Sequence, residues 1–212
     1  KLILSSSVVG ALCVAAGAVL LASKGLFSKA LYAHGLTYHD VAAIRSILAI
    51  PGFLLIAYWQ HRRRPPYTAL RLIPKDVLGA IFAGLLCYYL GALANFYALT
   101  LIQANVERAL LFSYPAMVII FQALWLRQWP PAATIIALSF TSLGIFFVTG
   151  AMDTQLSAEQ LEGVIWVLFC SLTIAIYFMM SAPLTQRLGA GNFTAIAMST
   201  AGVAFFVHYQ WL

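Results

Sequence analysis

Seven long, nearly uncharged apolar segments follow one another along the chain, at about residues 8–31, 40–59, 76–100, 104–126, 131–150, 161–182 and 192–212. Each is close to the roughly 20 residues that an α-helix needs to cross a bilayer core. The hydrocarbon holds no water to satisfy backbone groups, so spans of this length are predicted to be helices rather than strands. The pattern predicts an all-α membrane protein with seven transmembrane helices.

Within these segments the small and polar residues are ordered. At about 100° per residue, Gly10, Cys13, Gly17, Lys24 and Ser28 fall on one stripe of the first helix, with Ala11, Ala18, Ala22, Gly25 and Lys29 on the next. Leu12, Val19, Leu20, Leu26 and Phe27 occupy the opposite arc. Bulky residues are therefore expected toward lipid, and small residues with both lysines toward protein, which lets helices approach closely and still line a cavity. In the third segment Gly84, Tyr88, Gly91 and Asn95 share a face, suited to interhelical hydrogen bonding as well as to substrate contact. In the fourth, Arg108, Pro115 and Gln122 recur every seven residues, with Glu107 and Tyr114 on the adjacent stripe. Pro115 has no backbone donor, so the carbonyl of Leu111 loses its helical partner and a bend, a candidate hinge, is expected there.

Composition removes the soluble alternative: 63% of the 212 residues are hydrophobic and 8% charged, against roughly 45–50% apolar in soluble domains. The largest break between segments carries Arg62, Arg63, Arg64, Arg71 and Lys75, whereas the break after the fifth carries only Asp153, Glu159 and Glu162. Cytoplasmic loops collect Lys and Arg, so the former is placed inside. Arg127, Arg187 and the N-terminus then also lie inside, and the Tyr32–His39 and Asp153–Glu162 loops outside. The net charge of +6 is read as this topology signal and not as nucleic-acid binding. The first apolar run contains Lys24 and Lys29 and reads as a span, not a cleaved signal. The chain starts at Lys1 without a Met and stops at Leu212 as the seventh segment closes, so it reads as a fragment. Cys13, Cys87 and Cys170 are far apart in three helices and are expected to be small packing residues. His34 and His39, beside Asp40, are expected in a loop and have no second ligand pair. Neither a metal nor a cofactor is expected.

Given this topology, Lys24, Lys29, Arg45, Glu107 and Arg108 lie in the outer half of the bilayer, the unfavoured side for Lys and Arg. Lys29, Arg45 and Arg108 can snorkel to the outer headgroups, or the group can line a polar cavity between helices, which the wheel of the first helix supports. Glu107 stands in a first helical turn, favoured there by the helix dipole, and can partly neutralise the cations of the first two helices.

An internal repeat adds to the picture. At an offset of 153, Gly10 meets Gly163, Val14 meets Val167, Ala22 meets Ala175, Ser28 meets Ser181, Leu31 meets Leu184, Ala42 meets Ala195 and Ser46 meets Ser199. The sixth and seventh helices look like a second copy of the first two. An odd number of helices separates the copies, so the second copy is inverted, as in secondary transporters whose sites lie between repeats. The charges are not copied: Tyr177 stands opposite Lys24, Ala182 opposite Lys29 and Met198 opposite Arg45.

The stretches "SKGLFSKALYAHGLTYHDVAAIRSILAIP", "ANFYALTLIQANVERALLFSYPAMVII" and "ALSFTSLGIFFVTG" resemble the EamA-type transporters of the drug/metabolite transporter superfamily. By that resemblance Lys29, Arg45, Glu107, Arg108, Tyr114 and Pro115 match the family pattern. The chain departs from it where the family has a Gly-Glu-Arg turn after the fourth helix and this sequence reads Trp125-Leu126-Arg127-Gln128. The resemblance implies ten helices in two inverted five-helix repeats. Residues 1–150 would form the first repeat and residues 151–212 the first two helices of an incomplete second.

The function expected is a secondary transporter that moves a small metabolite, such as an amino acid or organic anion, across the cytoplasmic membrane by alternating access. Its partners would be the lipid bilayer and a small-molecule substrate, with a homodimer left open. The expected substrate-binding residues are Lys24, Lys29, Arg45, Tyr88, Asn95, Glu107, Arg108, Tyr114 and Tyr177, with Pro115 as hinge. A seven-helix receptor and a membrane-embedded enzyme are the alternatives. The first lacks a lysine in residues 192–212 for a retinal link, and the second has Glu107, already beside Arg108, as its one carboxylate near the helix interiors.

Overall fold

The computed structural model describes residues 6–62, 73–127, 129–148 and 157–211. Arg63, Arg64, Arg71 and Asp153, used above for orientation, lie outside these residues. Every regular element among the described residues is helical. They are α1 (Ser6–Ala33), α2 (Tyr38–Arg62), α3 (Pro74–Gly84), a π segment (Leu85–Gly91), α4 (Ala92–Leu101), α5 (Ala104–Leu111), α6 (Tyr114–Leu126), α7 (Ala132–Val148), α8 (Ala158–Leu188) and α9 (Ala190–Tyr209). Six stretches are long and apolar enough to cross a membrane: Gly10–Ala33, Tyr38–Arg62, Pro74–Leu101, Ala104–Leu124, Ala158–Leu188 and Ala190–Tyr209. The expected span 131–150 corresponds to α7, whose described part has 17 residues and stops short of that length.

Two of the expected helices are interrupted. The third changes from α to π winding at Leu85 and returns at Ala92. The fourth is two helices rather than one bent helix. After Leu111 the chain makes a tight turn, with Phe112 N–H donating to Ala109 and Ser113 N–H to Leu110, and Pro115 then stands in the first turn of α6. That is a position where its missing N–H costs nothing. The carbonyl of Leu111, orphaned as expected, accepts the Ser171 hydroxyl of α8 at 3.4 Å. A polar side chain on a neighbouring helix thus restores what the proline removed.

The long α8 is the axis of the bundle and packs on α3, the π segment, α4, α5 and α6, while α2 makes its widest contact with α9. α8 begins with a reciprocal cap in which Ser157 Oγ accepts from Gln160 N–H and Gln160 Oε1 accepts from Ser157 N–H, satisfying two of the free donors of the first turn. It ends at Gly189, φ 79°, which turns the chain directly into α9. Near that end Arg187 forms an ion pair with the buried Asp76 of α3 at 3.0 Å. The arc of α1 expected toward lipid is indeed exposed, from Leu12 to Phe27. Its small stripe divides: Gly25 lies against Ala104 of α5, whereas Gly10 and Gly17 meet no neighbour within 4 Å among the described residues. Among the described residues α1 packs mainly through its C-terminal half.

Close helix approach rests on small residues at defined points. A Cβ at Gly84 would collide with the backbone of Ala197 in α9, and one at Gly91 with the Thr173 hydroxyl of α8. Backbone cannot swing aside as a side-chain tip can, so Gly84→Ala is expected to destabilise the protein by about 2–3 kcal/mol. Thermal denaturation of the full-length protein in detergent measures it, with Gly52→Ala as the comparison because that position has open space. Equal melting of the two variants would contradict the packing.

Candidate functional site

Among the described residues, a cavity of about 420 Å³ is enclosed by α1, α2, the π segment, α4, α5, α6 and α8. That volume falls within the usual range for small-molecule sites. Two roomier grooves, of about 840 and 720 Å³, lie along α6 with α8 and with α7, and their linings are largely apolar side chains. The smaller cavity is the one that gathers cations, an amide and hydroxyls, so it is the candidate site.

Its polar wall starts from α5. The short link after α4 aims Glu107 inward, where it is fully buried. Glu107 Oε1 accepts the Asn95 side-chain amide at 2.5 Å and lies 3.8 Å from Lys24 Nζ. Glu107 Oε2 lies 3.7 Å from Arg108 Nε, and no hydrogen bond from the described residues reaches it. The Lys24 ammonium donates to Asn95 Oδ1 and sits 5.1 Å from the centroid of the Phe96 ring. Arg108 Nη2 donates to the Leu21 carbonyl of α1 at 3.0 Å. One carboxylate therefore serves two cations, and the Asn95 amide, donor on one side and acceptor on the other, joins carboxylate to ammonium. Gly25 on α1 permits this closeness, since a Cβ there would come 3.1 Å from Ala104 and 3.8 Å from Glu107 Oε2.

Arg45 differs from its neighbours. It lines the cavity from α2, with its guanidinium 5.7 Å from the Phe96 centroid. It makes no ion pair or hydrogen bond among the described residues. With Lys24, Arg45 and Arg108 against Glu107, the cavity carries a net charge of two positive. Lys29 is not part of its lining and lies one turn and more beyond Lys24 toward the α1–α2 turn.

The opposite wall is aromatic. Tyr88 of the π segment donates its hydroxyl to that of Tyr177 on α8 at 3.0 Å, with the rings at 71°. Tyr114 of α6 stacks on Phe178, 5.4 Å between centroids. Of the residues expected from sequence, the cavity brings together Lys24, Arg45, Tyr88, Asn95, Arg108, Tyr114 and Tyr177, with Glu107 directly behind. Pro115 lies outside the lining.

Phe96 and Phe178 were not singled out from sequence, and Cys87 and Cys170 were expected only as packing residues. Cys87 and Cys170 line the cavity as free thiols, and their separation by 83 positions gave no signal. Phe96 follows Asn95 directly and could have been found as the ring beside the amide. His39, expected in a loop, stands in the first turn of α2 and meets the ring of His208 from α9 at 5.2 Å. Tyr89 and His208 Nδ1 are hydrogen-bonded at 3.0 Å. No cluster of three or more metal-ligating side chains occurs among the described residues.

Comparison with known proteins completes this description. The model of the EamA-like transporter family matches residues 8–150. The chain is 30% identical over 199 residues to "Uncharacterized transporter YcbK" of Bacillus subtilis (strain 168), an overlap of 94% of this chain and 62% of that protein. The chain thus spans less than two thirds of that relative's length. No solved structure matches it.

Proposed function

Since the chain belongs to the EamA-like transporter family, we propose that the full protein is a secondary transporter of the cytoplasmic membrane. Its cargo is a small carboxylate-bearing metabolite, an amino acid or organic acid with an apolar body. The observation that carries this reading is Arg45, a guanidinium lining the cavity with no acidic partner among the described residues. A planar, permanently charged fork is suited to grip a carboxylate with two parallel hydrogen bonds. Arg108, already turned toward Leu21 and Glu107, adds field rather than a free hand. Tyr88, Tyr177, Tyr114 and Phe178 on the far wall receive the apolar body. Desolvation strengthens the charge–charge attraction in such a cavity relative to water, and the uncompensated positive charge disfavours cationic cargo.

Alternating access fits the breaks that surround the cavity. The π segment carries Tyr88, and the turn at Ser113 separates Arg108 on α5 from Tyr114 on α6. Both are places where a helix can change direction. We place the hinge at Phe112–Pro115. The wide contact of the bundle, between α2 and α9, joins the two helices that the sequence reading pairs as copies.

The test is flux in proteoliposomes containing full-length protein, with labelled carboxylates, zwitterions and cationic amines offered on either side. The expected result is saturable movement of one or more carboxylates and none of the amines. Movement of amines alone, or of no solute by folded protein, contradicts the proposal.

A further inference from the structure

A second polar constellation lies away from the cavity, on the surface of the bundle between α4 and α8 at the end that holds the α1–α2 turn. There Tyr38, His39, Leu90, Leu93, Ala94, Tyr97, Glu162, Trp166 and Phe169 line a groove of about 590 Å³. Among the described residues no Lys or Arg contributes to it. Tyr97 donates its hydroxyl to Glu162 Oε1 at 3.0 Å, and the Trp166 indole N–H donates to the same oxygen at 3.3 Å. Oε2 has no partner among the described residues. Two ring systems thereby hold a carboxylate with one oxygen free. The rings form a corner: Tyr97 and Trp166 meet at 89°, 5.7 Å between centroids, and Tyr38 stands 5.2 Å from Tyr97 on the other side.

We infer that this groove binds a phospholipid with an ammonium headgroup, the ammonium resting between the Tyr97 and Trp166 rings and donating to Glu162. Aromatic faces attract cations through their quadrupole, more strongly when partly desolvated, and a carboxylate held by two aromatic donors supplies the counter-charge at a fixed point. Charge complementarity excludes a phosphate as the group in the corner.

Depth argues for a lipid over a free amine. The 31 residues of α8 extend about 46 Å, against a hydrocarbon core of about 30 Å, leaving about 8 Å of helix at each end in the headgroup layer. Glu162, four residues into α8, falls in that layer. Trp166, one turn on, falls about 4 Å inside the hydrocarbon boundary, and Phe169 with Leu93 and Leu90 of the partner helices reaches the acyl chains. The groove thus changes from charged to aromatic to aliphatic in the same order as a phospholipid does. A soluble amine would use only its first third. By the charge rule the leaflet concerned is the outer one.

Native mass spectrometry of full-length protein in detergent tests this, by titration with phosphatidylethanolamine, and with phosphatidylglycerol of identical chains as the lipid without an ammonium. Wild type is expected to retain phosphatidylethanolamine at least about fivefold better, and Glu162→Gln to lose that preference, a loss of about five- to tenfold consistent with one charge-assisted contact. Trp166→Leu is expected to weaken it through the ring, so that a folding failure of one variant leaves the other to report. Free ethanolamine and tetramethylammonium are added in a separate arm. Equal retention of both lipids by wild type overturns the proposal, as does an undiminished preference in both folded variants. Displacement of the lipid by millimolar free amine overturns the assignment to a lipid.

Discussion

Full-length protein carrying Glu107→Gln is expected to lose about 3–5 kcal/mol of stability, the cost of removing one partner from a buried ionic group. The carboxylate is fully buried and stands within 3.8 Å of Lys24 and 3.7 Å of Arg108. The change keeps the shape and the bond to Asn95 in one amide orientation, so the loss reports charge rather than packing. With the anion gone, two cations face each other across a low-dielectric gap. Lys24 keeps Asn95 Oδ1 and Arg108 keeps the Leu21 carbonyl, so what each loses is its counter-charge. The double variant Lys24→Gln/Glu107→Gln is therefore expected to recover much of the loss, with a coupling of about 1–3 kcal/mol in the double-mutant cycle. Melting followed in detergent for the four proteins checks this. Additive losses would show that Glu107 does not act through Lys24.

That network was partly legible in the sequence because its members carry the rare charges of an apolar chain. An Arg-Glu pair at the head of a helix, and a lysine on the small-residue stripe of another, must find polar company within hydrocarbon. What the pattern could not supply was the partition among the cations. Glu107 reaches Lys24 and Arg108 but leaves Arg45 and Lys29 without it. That outcome depends on where Gly25 lets α1 approach α5, a three-dimensional fact with no local trace.

The same distinction separates the two helix breaks. The disturbance at Pro115 was readable from one residue type, although its form was not. A proline admits both a kink within a helix and the start of a new one, and the turn at Phe112–Ser113 settles on the second. The π winding of Leu85–Gly91 had no signal at all. Gly84 and Gly91 bracket it and touch Ala197 and Thr173, so the extra residue per turn follows from fitting one helix against α9 and α8 together. That the apolar segments are long helices was legible because hydrocarbon thickness imposes such lengths on composition, whereas seven spans were expected and six described stretches reach the crossing length. Contacts such as Asp76 with Arg187, or His39 with His208, join residues more than a hundred positions apart, and no periodicity links them.

Arg45→Gln is the complementary substitution, with a large effect on cargo and a small one on stability. Glu107 holds its neighbours in place, whereas Arg45 has neither ion pair nor hydrogen bond to lose among the described residues, and its burial at a ring face is itself a cost when no anion is present. Its removal is therefore expected to leave the melting temperature unchanged or slightly raised. A bidentate grip on a desolvated carboxylate contributes about 2–4 kcal/mol, so affinity for the carboxylate found by the flux screen is expected to fall about 30- to 1,000-fold. Arg45→Lys separates charge from shape: it keeps the cation and loses the fork, and is expected to recover no more than about a tenth of the wild-type affinity. Binding by isothermal titration on the three proteins, with melting curves on the same samples, gives both quantities at once. Unaltered affinity in folded Arg45→Gln would remove the residue from the site. A fall in affinity accompanied by an equal fall in stability would assign it to structure instead, and the free cation of the cavity would then have to be sought in Arg108.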